Sequence, residues 1–244
     1  MSVLRLLAGA PRGLALAEIS HQLGMPLASS HRVLGVLESE RFTSRSPTNR
    51  RYFLGPAARE LGRIDLARES PLVAAHEAVA RAGRSSGESV FLCELTGNRV
   101  VCVAMAESAH PLRLYVHVGQ QLPLHAAAAA RVLLAARPRS EARALLIAAA
   151  PLTAFTEETP TTVEEVLARL DGITERGYDT CDSELDRNVW AVSVPVHSST
   201  GEVVASVTLG APGHRMSDDA QRTAAREIVA DAAAEMGADL GWSG

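Results

Sequence analysis

Ser29, His31 and Arg32 fall close together in the stretch HQLGMPLASSHRVL, residues 21–34, where an ordinary surface helix would carry Glu. A short hydroxyl, an imidazole and a guanidinium can all read base edges, and a major groove about 12 Å wide admits one helix that displays them. Ala28 is grouped with them, and Arg45, Arg50 and Arg51, further on, suit contacts to phosphates or the minor groove. A second candidate set, His125, Cys181, Asp182 and Glu184, holds a nucleophile, a base and an orienting acid. No nucleophile elbow, P-loop, dinucleotide fingerprint or metal-ligand spacing accompanies that set. The acids beside Cys181 also disfavour its thiolate. The reading is therefore a protein that is not an enzyme, with no catalytic residue, metal or cofactor assigned.

The elements that would carry the first set follow from periodicity and breakers. Leu16, Ile19 and Leu23 share one helical face, Gly24 supplies a stop with positive φ, and Pro26 suits the first turn of the next helix. That helix, about 27–40, is expected to bury Val33, Leu34 and Leu37 and to leave Ser29, His31, Arg32 and Glu38 outside. Phe42–Ser44, the turn SPTN and Arg51–Leu54 read as a hairpin, so two helices and a basic wing make a winged helix-turn-helix over residues 1–55. A helix over 56–69 is expected to link it to the remainder, 70–244. There the reading is a long helix (71–85), strands around Thr96-Gly97-Asn98, a third strand at LRLYVHVG (112–119), helices at about 126–136, 140–148 and 162–176, a second hairpin and a closing helix (217–240). That pattern is α+β with an antiparallel sheet.

Composition fits this division. Hydrophobic residues make up 47% of the 244, yet no apolar run approaches the roughly 20 residues of a membrane span. With no leader-like h-region either, the expected location is the cytoplasm, with no membrane partner. All 24 basic side chains are arginines, and residues 1–55 hold seven of them against three glutamates, so a head of +4 sits on a body of −8. A polyanion would meet the head alone. Cys93, Cys102 and Cys181 lack CxxC spacing and read as buried thiols.

The residues GPRGL-LAEI--LGMP-ASSHRVL-VLE, with gaps for unmatched positions, and then RRYFLGP, HPLRLYVHVGQQLPLHAAAAARVLLA, TERGYDTCDSELDRNVWAVSVPV and GEVVASVTLGAP, resemble the IclR family of bacterial transcriptional regulators over nearly the whole chain. The resemblance implies a GAF-like effector-binding domain after the winged helix-turn-helix. It also implies dimers or tetramers on a roughly palindromic operator, and a small-molecule effector that adjusts DNA affinity, typically of a catabolic operon. It further implies an extra turn of first helix before Val3, so the sequence is expected to begin inside that helix. Ser30 stands where the family usually has a core-facing Val, and Leu27 where it usually has Lys.

For the effector, PLHAAAAAR sets a helix N-terminus after His125, and small side chains let a carboxylate approach its unpaired N–H groups. By composition alone the same run is simply good helix in an Ala-rich chain. The resemblance assigns the pocket to Leu114, Ala128, Ala129, Cys181, Val189, Ala191, Thr208 and Gly210. Members that bind small keto acids carry Asp at the position of Cys181 and Cys at the position of Ala191, so the expected ligand is an aromatic or larger apolar carboxylate. Trp190 alternates away from Val189 and Ala191 and is expected to pack on a helix or a subunit interface. The other function considered is an architectural DNA binder with a degenerate pocket and no ligand response.

Overall fold

The structure, a computed structural model, describes residues 2–10, 12–58, 71–112, 114 and 116–243. The chain divides into two compact units, Met1–Ser70 and Pro71–Gly244. The expected linker helix over 56–69 lies, from residue 59 onward, outside the described residues.

In the first unit, α1 (Ser2–Ala8), α2 (Leu16–Leu23) and α3 (Leu27–Ser39) precede an antiparallel ribbon of β1 (Thr43–Arg45) and β2 (Tyr52–Leu54). Gly24 ends α2 with left-handed backbone, φ 62°, a conformation glycine adopts without the steric cost of a Cβ. The Ser20 hydroxyl then donates to the Met25 carbonyl at 2.6 Å, and Pro26 caps α3. Val3, Leu7, Ile19, Leu34 and Tyr52 form the core.

The expected buried face of α3 needs correction. Leu34 is buried and Leu37 half-buried, but Val33 is 37% exposed and Ser30 is fully buried in its stead. Position 33 belongs to the same i, i+3, i+4, i+7 stripe but falls at its edge, roughly 60° from the centre of the face formed by 30, 34 and 37. The Ser30 Oγ has no hydrogen-bond partner among the described residues. Because an unsatisfied buried hydroxyl is destabilising, Ser30→Ala is expected to raise the unfolding free energy of this unit by about 1 kcal/mol. A lower denaturant midpoint for the variant would show that the hydroxyl has a partner.

The second unit is a six-stranded antiparallel sheet in the order β5-β4-β3-β8-β7-β6. Its strands are β3 (Ser89–Thr96), β4 (Arg99–Ala106), β5 (Gln121–Leu122), β6 (Asp179–Asp182), β7 (Val189–His197) and β8 (Val203–Pro212). Its helices are α4 (Pro71–Ser86), α5 (Ala128–Ala135), α6 (Arg139–Ala148), α7 (Val163–Arg176) and α8 (Asp219–Asp239). No helix of the described residues is long and apolar enough to cross a membrane.

Successive strand side chains face opposite ways, and this alternation builds two separate cores. Trp190, Val192, Val194, Val207 and Leu209 pack with α4 and α8 on one face. Phe91, Cys93 and Cys102 pack with α5, α6 and α7 on the other. Trp190 is buried on the helix-packed face, beneath the Arg222 guanidinium at 5.6 Å.

Two strands differ from the expectation. The described residues of 112–119 are irregular, and only Gln121–Leu122 pairs with β4. The segment ends in a turn at Gly119, φ 88°, closed when the Gln120 side chain accepts from the His117 N–H at 3.1 Å; that turn chemistry overrides the strand-like alternation. β6 was not expected, because Asp179-Thr180-Cys181-Asp182 has no apolar alternation. It holds as an edge strand through β7 and through Arg131 and Arg176, which donate to the Thr180 and Tyr178 carbonyls at 3.0 and 2.8 Å.

Candidate functional site

On the first unit, Ala28, His31 and Arg32 are exposed on α3, and Ser29, expected to face solvent, is half-buried. Arg45 lies over the Tyr52 ring at 5.2 Å. Arg50 is exposed at the turn of the ribbon, with φ 57°. Arg51 is different: its Nη2 donates to both Glu18 carboxylate oxygens, at 2.8 and 3.1 Å, and its Nε to the Gly13 carbonyl at 3.1 Å. Glu18 in turn accepts from the Ala15 N–H at 2.6 Å. That backbone hydrogen bond first, and then Arg51, hold its carboxyl below the usual carboxylate range. Arg51 therefore ties the ribbon to the start of α2, while Arg45 and Arg50 keep their charge outward.

On the second unit, all eight positions assigned to the pocket, Leu114, Ala128, Ala129, Cys181, Val189, Ala191, Thr208 and Gly210, line one cavity of about 640 Å³. Its other walls include Phe91, Phe155, Leu185 and Asp186. These had no signal in residue type alone, since they reach the cavity only through loop and sheet geometry. At Gly210 a Cβ would stand 2.5 Å from Leu114 Cδ1, so any larger residue there would push the Leu114 side chain aside. At the N-terminus of α5 the cap residue is Ala127, whose side chain caps nothing, so the N–H groups of Ala128 and Ala129 have no acceptor within the helix. Thr208 hydrogen-bonds Ser193 at 2.8 Å. No Arg or His side chain is among the described residues lining the cavity. The cavity thus offers helix N–H groups, neutral polar side chains and one carboxylate, Asp186, among largely apolar walls.

The cavity walls converge on Arg131, which the sequence reading did not single out. Its side chain is fully buried. Nε donates to Asp179 at 2.6 Å, Nη1 to Glu184 at 2.5 Å and to the His125 carbonyl at 2.9 Å, and Nη2 to the Thr180 carbonyl. Burial opposes its charge, but Asp179 and Glu184 outweigh that and raise its pKa above the ordinary arginine value. The only hint in the sequence is one charged residue inside an otherwise apolar helix, within AAARVLLA. Arg131 joins the pocket helix to β6 and to the loop that delivers Leu185, Asp186 and Val189.

The quartet His125, Cys181, Asp182 and Glu184 does not assemble as a catalytic set. His125 Nε2 meets the Thr153 carbonyl at 2.9 Å and its ring stacks on Phe155. The Cys181 thiol donates to the Ala126 carbonyl at 3.3 Å, and burial, then Glu184, push its pKa up. Asp182 pairs with Arg222 at 2.8 Å.

Comparison with known proteins agrees with this architecture. Residues 1–47 match the IclR helix-turn-helix domain, and residues 66–238 match the bacterial transcriptional regulator IclR C-terminal domain. The chain is 31% identical over 217 residues to the probable transcriptional regulator SauR of Cupriavidus necator, spanning 89% of this chain and 86% of that one. It superposes on an IclR transcriptional regulator from Alicyclobacillus acidocaldarius with TM-score 0.87 and 30% identity, covering 98% of this chain and 96% of that one. An IclR homologue from Microbacterium hydrocarbonoxydans, solved with 4-hydroxybenzoate, shares the fold at TM-score 0.79 and 22% identity, over 98% and 97% of the two chains. With these matches over both units, the chain is a DNA-binding transcriptional regulator and belongs to the IclR family.

Proposed function

We propose that this regulator binds a roughly palindromic operator as a dimer or tetramer in the cytoplasm, and that an apolar carboxylate in the 640 Å³ cavity adjusts its DNA affinity, controlling a catabolic operon. The observation that carries the ligand half is the cavity itself: apolar walls, Thr208, and the unpaired N–H groups at the start of α5. These suit an aromatic acid better than glyoxylate or pyruvate, whose small size would leave most of the cavity unfilled. The DNA half rests on α3, with Ala28, Ser29, His31 and Arg32 toward base edges and Arg45 and Arg50 toward phosphates. Arg51 keeps a positioning part, through Glu18. The effector shifts operator affinity only by its differential affinity for two arrangements of the protein, typically about 1–3 kcal/mol.

The ligand reading is tested by a thermal-shift screen against aliphatic, keto and aromatic acids, with 4-hydroxybenzoate among the aromatic ones. A ligand at about 100 times its Kd stabilises the native state by roughly 2.7 kcal/mol, so an aromatic acid should raise Tm while pyruvate should not. A blank panel would favour the architectural DNA binder without a ligand response. For DNA, an operator is first selected from a random-sequence pool. Arg32→Ala is then expected to weaken it by about 1–3 kcal/mol, roughly five- to 150-fold, in an electrophoretic shift assay. Unchanged affinity would remove Arg32 from the interface.

A further inference from the structure

Cys93 and Cys102 stand directly opposite each other on β3 and β4. Both are fully buried, both are free thiols, and both belong to the apolar layer that packs with α5, so their side chains project from the same face of the sheet. The kind of cross-strand pair they form can be read from the backbone. Cys102 N–H donates to the Gln120 carbonyl at 2.9 Å, and its carbonyl accepts from the Gly119 N–H at 2.7 Å. Both polar groups of Cys102 therefore point away from β3, which makes Cys93 and Cys102 a non-hydrogen-bonded pair. In such pairs the Cα atoms approach to about 4.5 Å and the side chains come closest. A disulfide requires a Cα separation of about 4.4–6.8 Å, so this site meets the requirement with little movement of either strand. The register skips Val103 next to the pair, and such a bulge gives the strands local freedom to twist.

We infer that Cys93 and Cys102 form an oxidisable dithiol that a small peroxide converts to an intrachain disulfide, a modification site beneath the cavity and separate from its ligand chemistry. The Cys102 thiol gives up its proton and its sulfur attacks one peroxide oxygen. The O–O bond breaks, leaving a sulfenic acid on Cys102, and the departing hydroxide takes up the proton as water. The Cys93 sulfur then attacks the sulfenic sulfur, the S–S bond forms, and the displaced hydroxide leaves with the Cys93 proton as a second water. Two thiols are oxidised by two electrons in all, and one hydrogen peroxide is reduced to two waters. The hydrogen bond between the two thiols holds Cys102 below the usual thiol range and pushes Cys93 up, which favours this order of attack. Full burial excludes bulky oxidants. Phe91, Leu122 and Ala129, which share the layer with the two cysteines, also line the cavity, so a peroxide entering the cavity is separated from the pair only by that layer. The Cys102 thiol also meets the Ala104 carbonyl at 3.4 Å, a long contact; Cys181, on the edge strand β6 with β7 and β8 between it and β3, is too far from the pair to take part.

The test treats the full chain with hydrogen peroxide, quenches it, unfolds it in an alkylating agent and measures intact mass and peptide linkage. The expected product has lost two hydrogens, carries one alkylated thiol, at Cys181, links the peptides of Cys93 and Cys102, and reverts with dithiothreitol. Cys181→Ser should leave the link intact and Cys102→Ser should abolish it. Three alkylated thiols after treatment, a link that includes Cys181, or oxygen added at Cys93 or Cys102 without a link would each overturn the proposal. The wild-type measurement decides the matter even if a variant fails to fold.

Discussion

Replacing Arg131 by Leu is expected to lower the unfolding free energy of the second unit by about 3 kcal/mol, at the lower end of the range for breaking a buried ion pair. The cost comes from what stays behind: Asp179 and Glu184 are both buried, and without the guanidinium each must be solvated or protonated. The lower end applies because each carboxylate keeps a second arginine, Arg176 on Asp179 at 3.0 Å and Arg169 on Glu184 at 2.6 Å. Arg169 is the control. Its side chain is 41% exposed, so screening by water and salt leaves its pair worth under about 1 kcal/mol, and Arg169→Ala should move the urea midpoint little. Equal, small shifts for both variants would mean that Arg131 does not hold the cavity walls together. Replacing all three members by apolar residues is the complementary test, since an apolar core can match a buried ion network in stability.

Ala128→Leu is expected to abolish the response to the acid found by thermal shift, a loss of more than about a hundredfold in affinity, while operator binding persists. Ala128 is 2% exposed at the base of the cavity. A leucine there would occupy the space above the first turn of α5 and cover the N–H groups to which the carboxylate is assigned. Isothermal titration separates the outcomes: native affinity in the variant would place the ligand elsewhere, and loss of both ligand and operator binding would indicate misfolding. The affected groups lie on the second unit alone, which is why the DNA contacts should survive.

How much of this was legible in the sequence depends on the kind of signal. The turn from Gly24 to Pro26 and the apolar face of α2 are local, so periodicity and backbone preference suffice to find them. Periodicity places Val33 on the buried stripe because 30, 33, 34 and 37 share it; Val33 sits at the stripe's edge and is left 37% exposed, while Ser30, polar by type, is buried. LRLYVHVG has the composition of a strand, yet the turn at Gly119 and the demands of the cavity on Leu114 decide its path. The eight cavity positions came from family resemblance and not from pattern, because one or two residues on each of five separate segments of the chain carry no signal that would group them. Arg131 was missed for the same reason: Asp179 and Glu184 lie 48 and 53 positions away along the chain. The reading of Arg51 as a phosphate contact likewise could not see Glu18, which stands 33 positions before it.

The two-faced sheet has an evolutionary consequence. Val189, Ala191, Thr208 and Gly210 border the cavity, while Trp190, Val192, Val207 and Leu209, interleaved with them, hold α4 and α8. Substitution at one set leaves the packing of the other nearly untouched, since the sheet itself lies between them. A lineage can therefore change the molecule it senses by altering every second residue of β7 and β8, while the scaffold that passes the signal on is inherited unchanged.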